Sequence, residues 1–344
     1  MPQLQRQQSP YLTSARQWLL DSGIQSQNGG VSRYYKGDEG RMLPVSTEIT
    51  GYFVSGMLAI GEIEAACHAG RFLTRQAWDR ELRIFPFELE PGERLAYFFD
   101  SGIIARGLMA LWRSTGEQEF LDAAVAAGDS MIRDFTADAG CHPILSLPAK
   151  RPVPYHRWWS RCPGAFHLKA ALAWRQLAQI TGDQRYEDSY QRMLAFALVS
   201  YRALIDDETE PVRVMDRLHA YCYFLEGLLP ELDAHRDLFH ASLAEIAGWR
   251  KRLAGEFERS DVAAQHLRLR ILTGDESSLA PAEAEAVVHF QFASGDGRLD
   301  GAFAFGRRNG KLIPHANPVS TVFALQALDW HERAPANAGW RDLI

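Results

Sequence analysis

Apolar positions recur along the chain with a helical period, in two kinds of segment that alternate. Six segments are amphipathic with a charged face: 9–23, 64–83, 118–134, 184–203, 234–254 and 279–291. Between them lie six that are apolar nearly all round and rich in small residues: 46–60, 101–112, 164–178, 216–229, 262–272 and 318–330. A helix apolar on every side must be buried on most of them, whereas an amphipathic one belongs at a surface. The alternation predicts an all-α fold, an (α/α)6 toroid whose inner ring of helices is wrapped by an outer ring. One such domain is expected over residues 1–344.

Internal repeats support the ring. TGEQEFLDAA (115–124) and TGDQRYEDSY (181–190) share a Thr-Gly stop, an acidic first turn and an aromatic. A third TGD, at 273–275, falls at the equivalent turn. Residues 29–58 and 300–328 also match in a Gly-x-aromatic start, a PVST core and a helical finish, as the two ends of a closed ring would.

Connection lengths are one-sided. Turns from an apolar to an amphipathic segment take roughly 3–6 residues, normal for helical hairpins. The opposite connections are mostly long, at 24–45, 84–100, 135–163 and 292–317, and must all lie on one rim, with short β-ribbons there. They are rich in aromatics, Tyr34, Tyr35, Trp158 and Trp159 among them, so binding or catalysis is expected there rather than disorder.

Composition narrows the function. With 47% hydrophobic and 23% charged residues in a chain of 344, a large globular core is expected. A net charge of −6 gives no attraction to nucleic acid, and no apolar run reaches the ~20 residues of a membrane span. The first twenty residues lack a signal-peptide pattern, and the 4 cysteines are scattered, so a cytoplasmic protein is expected. Histidines show no ligand spacing, so neither a metal nor another cofactor is expected.

Polar residues cluster at the starts of the apolar segments, on the long-loop rim. Glu48 and Asp100 open the first two; Tyr155, His156 and Arg157 precede the third; Asp216 and His219 start the fourth. Asp261 and Gln265 open the fifth, and His315, Asn317 and Ser320 the sixth. Asp, Ser, Thr and Asn there are also ordinary N-caps. Glu48 is harder to explain that way, because it enters a buried helix and a buried carboxylate needs a partner or a task. PYHRWW (154–159) sets aromatic faces beside Arg and His, a combination suited to sugar rings and anionic groups. The catalytic candidates are therefore Glu48, Asp100, Tyr155, His156 and His219. Tyr34, Tyr35, Arg157, Trp158, Trp159, Gln265, His315 and Asn317 are candidates for binding. DDETE (206–210) matches a DDxxE magnesium pattern, but it leads into Pro211 in a short connection and reads as a solvated acidic loop.

The motifs Q-x-x-G-G-V-S-x-x-Y and STEITGY (27–52), FDSGII-x-x-GL-x-ALW-x-x-TG (99–116) and the TGD-x-x-Y turn resemble a bacterial family of α/α-toroid proteins. Its members belong to surface-polysaccharide biosynthesis and carry glucuronyl-epimerase-like or prenyltransferase-like labels. The end repeats are also similar to the hairpins of terpenoid cyclases, although DxDD is absent. The six-hairpin arrangement resembles glycoside hydrolases, polysaccharide lyases and sugar epimerases. These resemblances imply a carbohydrate-active protein with a glycan or sugar-containing ligand, associated with polysaccharide-assembly proteins. Hydrolysis would use Glu48 and Asp100. Proton abstraction beside a uronate carboxylate would use Tyr155, His156 or His219, with Arg157 holding the carboxylate, and the Tyr, His and Arg content of the rim favours it. A non-catalytic glycan- or protein-binding scaffold and an isoprenoid-handling protein are the alternatives.

Overall fold

Both kinds of segment form helices, and the computed structural model describes them over residues 9–90, 92–156, 158–206, 210–275, 279–333 and 338–344. In chain order the outer and inner helices alternate: α1 (Pro10–Asp21) and α2 (Thr47–Ala59), α3 (Ile63–Phe72) and α4 (Phe98–Thr115), α5 (Gln118–Phe135) and α6 (His167–Thr181). Then follow α7 (Gln184–Ser200) and α8 (Pro211–Leu228), α9 (Arg236–Leu253) and α10 (Ser260–Thr273), α11 (Ala280–Val288) and α12 (Pro318–Arg333). Each inner helix packs on the next, and α12 returns to pack on α2. The ring is closed, and the fold is an (α/α)6 toroid. No helix among the described residues is long and apolar enough to cross a membrane.

Local chemistry sets the boundaries. The Thr-Gly stops end α4, α6 and α10 with Gly116, Gly182 and Gly274 in the left-handed region, at φ 75°, 73° and 69°. Three inner helices start earlier than their apolar pattern, α4 at Phe98, α8 at Pro211 and α10 at Ser260. Before α8, Glu210 accepts from the backbone of Val212 and Arg213, and Pro211 suits a first turn, so the helix begins at 211 rather than 216. The segment expected as one helix over 64–83 ends as α-helix at Phe72 and continues as a π-turn over Leu73–Ala77.

The inner ring is tight because its small residues let backbones touch. A Cβ on Gly102 of α4 would lie 2.4 Å from the Ala170 carbonyl oxygen of α6, and one on Gly227 of α8 would lie 2.5 Å from the Leu168 carbonyl carbon. Gly102→Ala should therefore force α4 and α6 apart and cost about 1–3 kcal/mol. A fall in the urea midpoint with unchanged slope would register it; an unchanged midpoint would contradict this close packing.

Short strands knit the long loops together on one rim: β1 (Val31–Ser32), β2 (Tyr35–Lys36), β3 (Arg41–Met42), β4 (Val45–Ser46), β5 (Leu95–Tyr97) and β6 (Ile144–Ser146). The rest are β7 (Arg151–Pro152), β8 (Phe257–Arg259), β9 (Gly306–Arg308), β10 (Lys311–Leu312) and β11 (His315–Ala316). Antiparallel pairing of β5 with β6 ties the loop before α4 to the loop before α6, and β8 with β9 does the same for α10 and α12. Strand β11 pairs with β2, His315 opposite Lys36, so the first and last hairpins are joined through their backbones.

Those end hairpins are equivalent in structure, but in a different register from the PVST match. Thr50 Oγ1 donates to the Ser46 carbonyl and accepts from Val31 N; Thr321 Oγ1 donates to the Asn317 carbonyl and accepts from Phe303 N. Thr50 therefore corresponds to Thr321, and the caps Ser46 and Asn317 correspond, three residues away from the literal string match. The caps and the buried threonine fix the register; the shared letters do not.

The opposite rim, where the sequence shows only short turns, is covered by residues 338–344. Leu343 and Ile344 are each 3% exposed, and Arg106 donates to the Trp340 and Leu343 carbonyls.

Candidate active site

The first turns of α2, α4 and α6 and the middle of α8 meet in a cavity of about 220 Å3 at the long-loop mouth. Glu48 of α2 and Asp100 of α4 line it with His167 of α6 and His219 of α8. Rings from Phe87, Tyr97, Phe99, Trp159, Phe166 and Tyr223 complete the wall. At the floor Tyr52 donates to Tyr223 across 3.0 Å, and below it Lys169, Glu226 and Arg268, each 0% exposed, fill the axis. The toroid is thus a blind funnel, entered from the long-loop side.

Neither acid is a cap. Ser46 caps α2, and α4 begins after Tyr97 without a side-chain cap, which places Asp100 inside the first turn. Asp100 is 5% exposed, and its Oδ2 finds no hydrogen-bond partner among the described residues. Burial raises the Glu48 pKa from 4.5 to about 7. Burial first, and the Glu48 charge second, hold Asp100 well above the ordinary carboxylate range. Helix N-termini favour carboxylates by about 0.3–1 kcal/mol, too little to reverse a shift of this size. Burial and the Glu48 charge both favour the neutral acid form of Asp100, while Glu48, at about 7, is poised between its two forms. Burial, then the Asp100 charge, pushes Tyr97 up to about 12, so its hydroxyl remains a donor.

The two imidazoles are neutral. Burial takes His219 down to about 4 despite the opposing pull of Asp261, and His167 to about 3. The tautomer of His219 follows from the residues behind it. Lys169 and Arg268 hold Glu226 as a carboxylate, which can only accept, so Gln265 turns its Nε2 toward it at 3.4 Å. Gln265 Oε1 then faces His219 Nδ1 at 2.8 Å and must accept its proton. His219 Nε2 is left as the basic nitrogen.

The structure brings together only part of the expected set. Glu48, Asp100, Trp159 and His219 share the cavity, and Gln265 stands directly behind His219. Tyr155 is 51% exposed with its hydroxyl on His142 Nδ1; His156 is exposed and stacks on Trp158, itself 47% exposed. None of these three lines the cavity. Arg157 lies outside the described residues. Tyr34 stacks on His315 at the joined end hairpins, Tyr35 is buried beneath them at 3% exposure, and Asn317 caps α12. Of DDETE, residues 207–209 lie outside the described residues, Asp206 pairs with Arg202, and Glu210 is a helix cap. His167, Tyr97, Phe99 and Tyr223 were missed. His167 could have been found as the polar residue in the first turn of an apolar helix, the position that singled out Glu48.

A closed ring of six hairpins with an acid–imidazole cavity at its mouth defines the class of protein: an (α/α)6 toroid with a funnel site. No family model matches the chain, and no curated protein matches it. Solved structures do. A cellobiose 2-epimerase from Bacillus thermoamylovorans superposes with TM-score 0.67 at 12% identity, covering 93% of this chain and 99% of that one. A sugar epimerase from a ruminal bacterium gives TM-score 0.66 at 13% identity over 95% and 100%. An alpha-amylase from Clostridium perfringens gives 0.66 at 12% over 94% and 99%. At such identities the likeness is one of fold.

Proposed function

We propose that the chain is a carbohydrate-active enzyme that hydrolyses a neutral glycan, with Asp100 as general acid and Glu48 as general base. The observation that supports this reading is the pair of carboxyl groups with raised pKa values in one aromatic-walled cavity. Burial keeps Asp100 protonated so that it can donate to a leaving oxygen, and Glu48, at about 7, can take a proton from water. Aromatic faces such as Trp159 and Phe99 suit the apolar faces of sugar rings. No Lys or Arg lines the cavity among the described residues, which favours a neutral sugar over a uronate. The fold is shared with an alpha-amylase and with sugar epimerases, so sugar chemistry of both kinds is compatible with it. A role in surface-polysaccharide biosynthesis, beside assembly proteins, is part of the same proposal.

A second reading is proton abstraction from a sugar carbon, and the two neutral imidazoles favour it. His219 Nε2 would take the proton, with Asp100 donating to the developing oxyanion. One experiment separates the two. The protein is incubated in D2O with neutral and uronate oligosaccharides, and products are followed by NMR. New reducing ends without carbon-bound deuterium support hydrolysis; deuterium at a ring carbon supports abstraction. Binding by calorimetry with neither change would overturn both and leave a glycan-binding scaffold. The rate in the hydrolytic case should rise as Glu48 ionises near pH 7 and fall as Asp100 loses its proton at higher pH. A flat profile between pH 5 and 9 would contradict the assigned roles (about two units either side of a titrating base should span its transition).

A further inference from the structure

The rim opposite the mouth holds a second cavity, of about 350 Å3, between the last turns of α2, α4, α6 and α12 and residues 341–343. Three guanidinium groups face it: Arg106, Arg113 and Arg341. None of these three forms an ion pair among the described residues, although Asp342 lies on the same wall. Arg106 donates to the Trp340 and Leu343 carbonyls, and Arg341 donates to Gln179 Oε1, so both are held by neutral acceptors that leave the charge intact. Arg113 has no hydrogen bond among the described residues, and the adjacent Arg341 charge adds to desolvation in lowering its pKa. Asp342 is the single acid on the wall. Helix C-termini tolerate cations, but at about 0.3–1 kcal/mol each they do not account for three converging on one hollow.

Two buried atoms at this cavity have no hydrogen-bond partner among the described residues. Arg106 is 6% exposed and its Nε donates to nothing; Gln176 is 2% exposed and its Oε1 accepts from nothing. The first asks for an anionic acceptor and the second for a donor such as a hydroxyl. A planar guanidinium fork matches a phosphate in geometry as well as charge. The volume is at the lower end of ligand cavities, which run from about 300 to 1,000 Å3.

We propose that this cavity binds a sugar phosphate, the phosphate group on Arg106, Arg113 and Arg341 and a hydroxyl on Gln176. The site is separated from the mouth by the Tyr52–Tyr223 floor and the Lys169–Glu226–Arg268 layer, so it stands whatever reaction the mouth performs. A ligand there would bind as an effector of the ring, not as the substrate.

Calorimetric titration of the full chain tests this, with glucose 6-phosphate, inorganic phosphate, glucuronate and glucose compared at one ionic strength. Glucose 6-phosphate is expected to bind more tightly than inorganic phosphate, and glucose not at all. Arg113→Gln and Arg341→Gln, both at exposed positions, should each weaken binding roughly tenfold or more. Glu48→Gln, at the mouth, should leave that affinity unchanged. Thermal unfolding of each variant verifies that it is folded. Absence of heat with glucose 6-phosphate, unchanged affinity in Arg113→Gln, or loss of affinity in Glu48→Gln would overturn the site. Equal affinity for glucuronate would overturn the assignment to phosphate.

Discussion

Asp100→Asn and Glu48→Gln are each expected to lower turnover by about 10²–10⁴-fold while making the protein more stable above pH 7. The two effects share a cause. Folding places both carboxyls where the charged form is disfavoured, as the rise of Glu48 from 4.5 to about 7 records. Between those pH values the folded protein keeps a proton that the unfolded chain has released. Stability therefore falls as pH rises through that window, and the whole cost is present above it. A neutral amide removes the slope. The gain for Glu48→Gln at pH 8 should be about 1–3 kcal/mol, seen as a rise of a few degrees in the melting midpoint. At pH 4 wild type and variant should unfold together. A variant that is inactive and also less stable at pH 8 would show that Glu48 has a structural partner rather than a catalytic task.

Glu226→Gln is expected to destabilise the protein by about 3–5 kcal/mol, the range for breaking a fully buried ion pair on one side. Glu226 Oε2 accepts from Lys169 Nζ at 2.8 Å and Oε1 from Arg268 Nη2 at 2.6 Å, with all three side chains 0% exposed. Burial works against the Glu226 charge, but Arg268 and Lys169 outweigh it and hold the pKa below its ordinary value. The neutral amide would leave two cations facing each other on the axis. Lys169→Met should cost less, because Arg268 still satisfies Glu226. Urea unfolding of both variants measures the difference; a loss below about 1 kcal/mol in Glu226→Gln would mean that water reaches the layer. The same change should disturb His219, since Gln265 would lose the acceptor that orients its amide.

Much of the mouth was legible before the fold was known. Glu48 stood out as an acid entering an apolar helix, Asp100 as a helix-opening acid that a cap would also explain, and both line the cavity. Their alternative reading as caps could not be dismissed from spacing, because a shift of helix start by one to three residues decides it. The PYHRWW segment shows the limit. Its composition suggests a ligand loop, but adjacent Trp158 and Trp159 have the same chemistry and opposite fates, one exposed and one in the cavity wall. Only the turn of the loop over α6 decides which faces in. The place of His167 in the first turn of an apolar helix was legible, but the tight turn that brings the Gly164 carbonyl to its ring has no sequence signature.

The ring was legible in the order of residues: six outer and six inner helices follow from which faces are apolar, and Thr-Gly stops and small residues set their ends and their closeness. Local burial demands and backbone geometry fix these features within each hairpin. Tertiary structure alone decided the chemistry. The raised acids, the tautomer of His219, the charged floor and the arginine hollow all depend on groups brought together from distant hairpins. Their desolvation and mutual fields exist only when the ring closes.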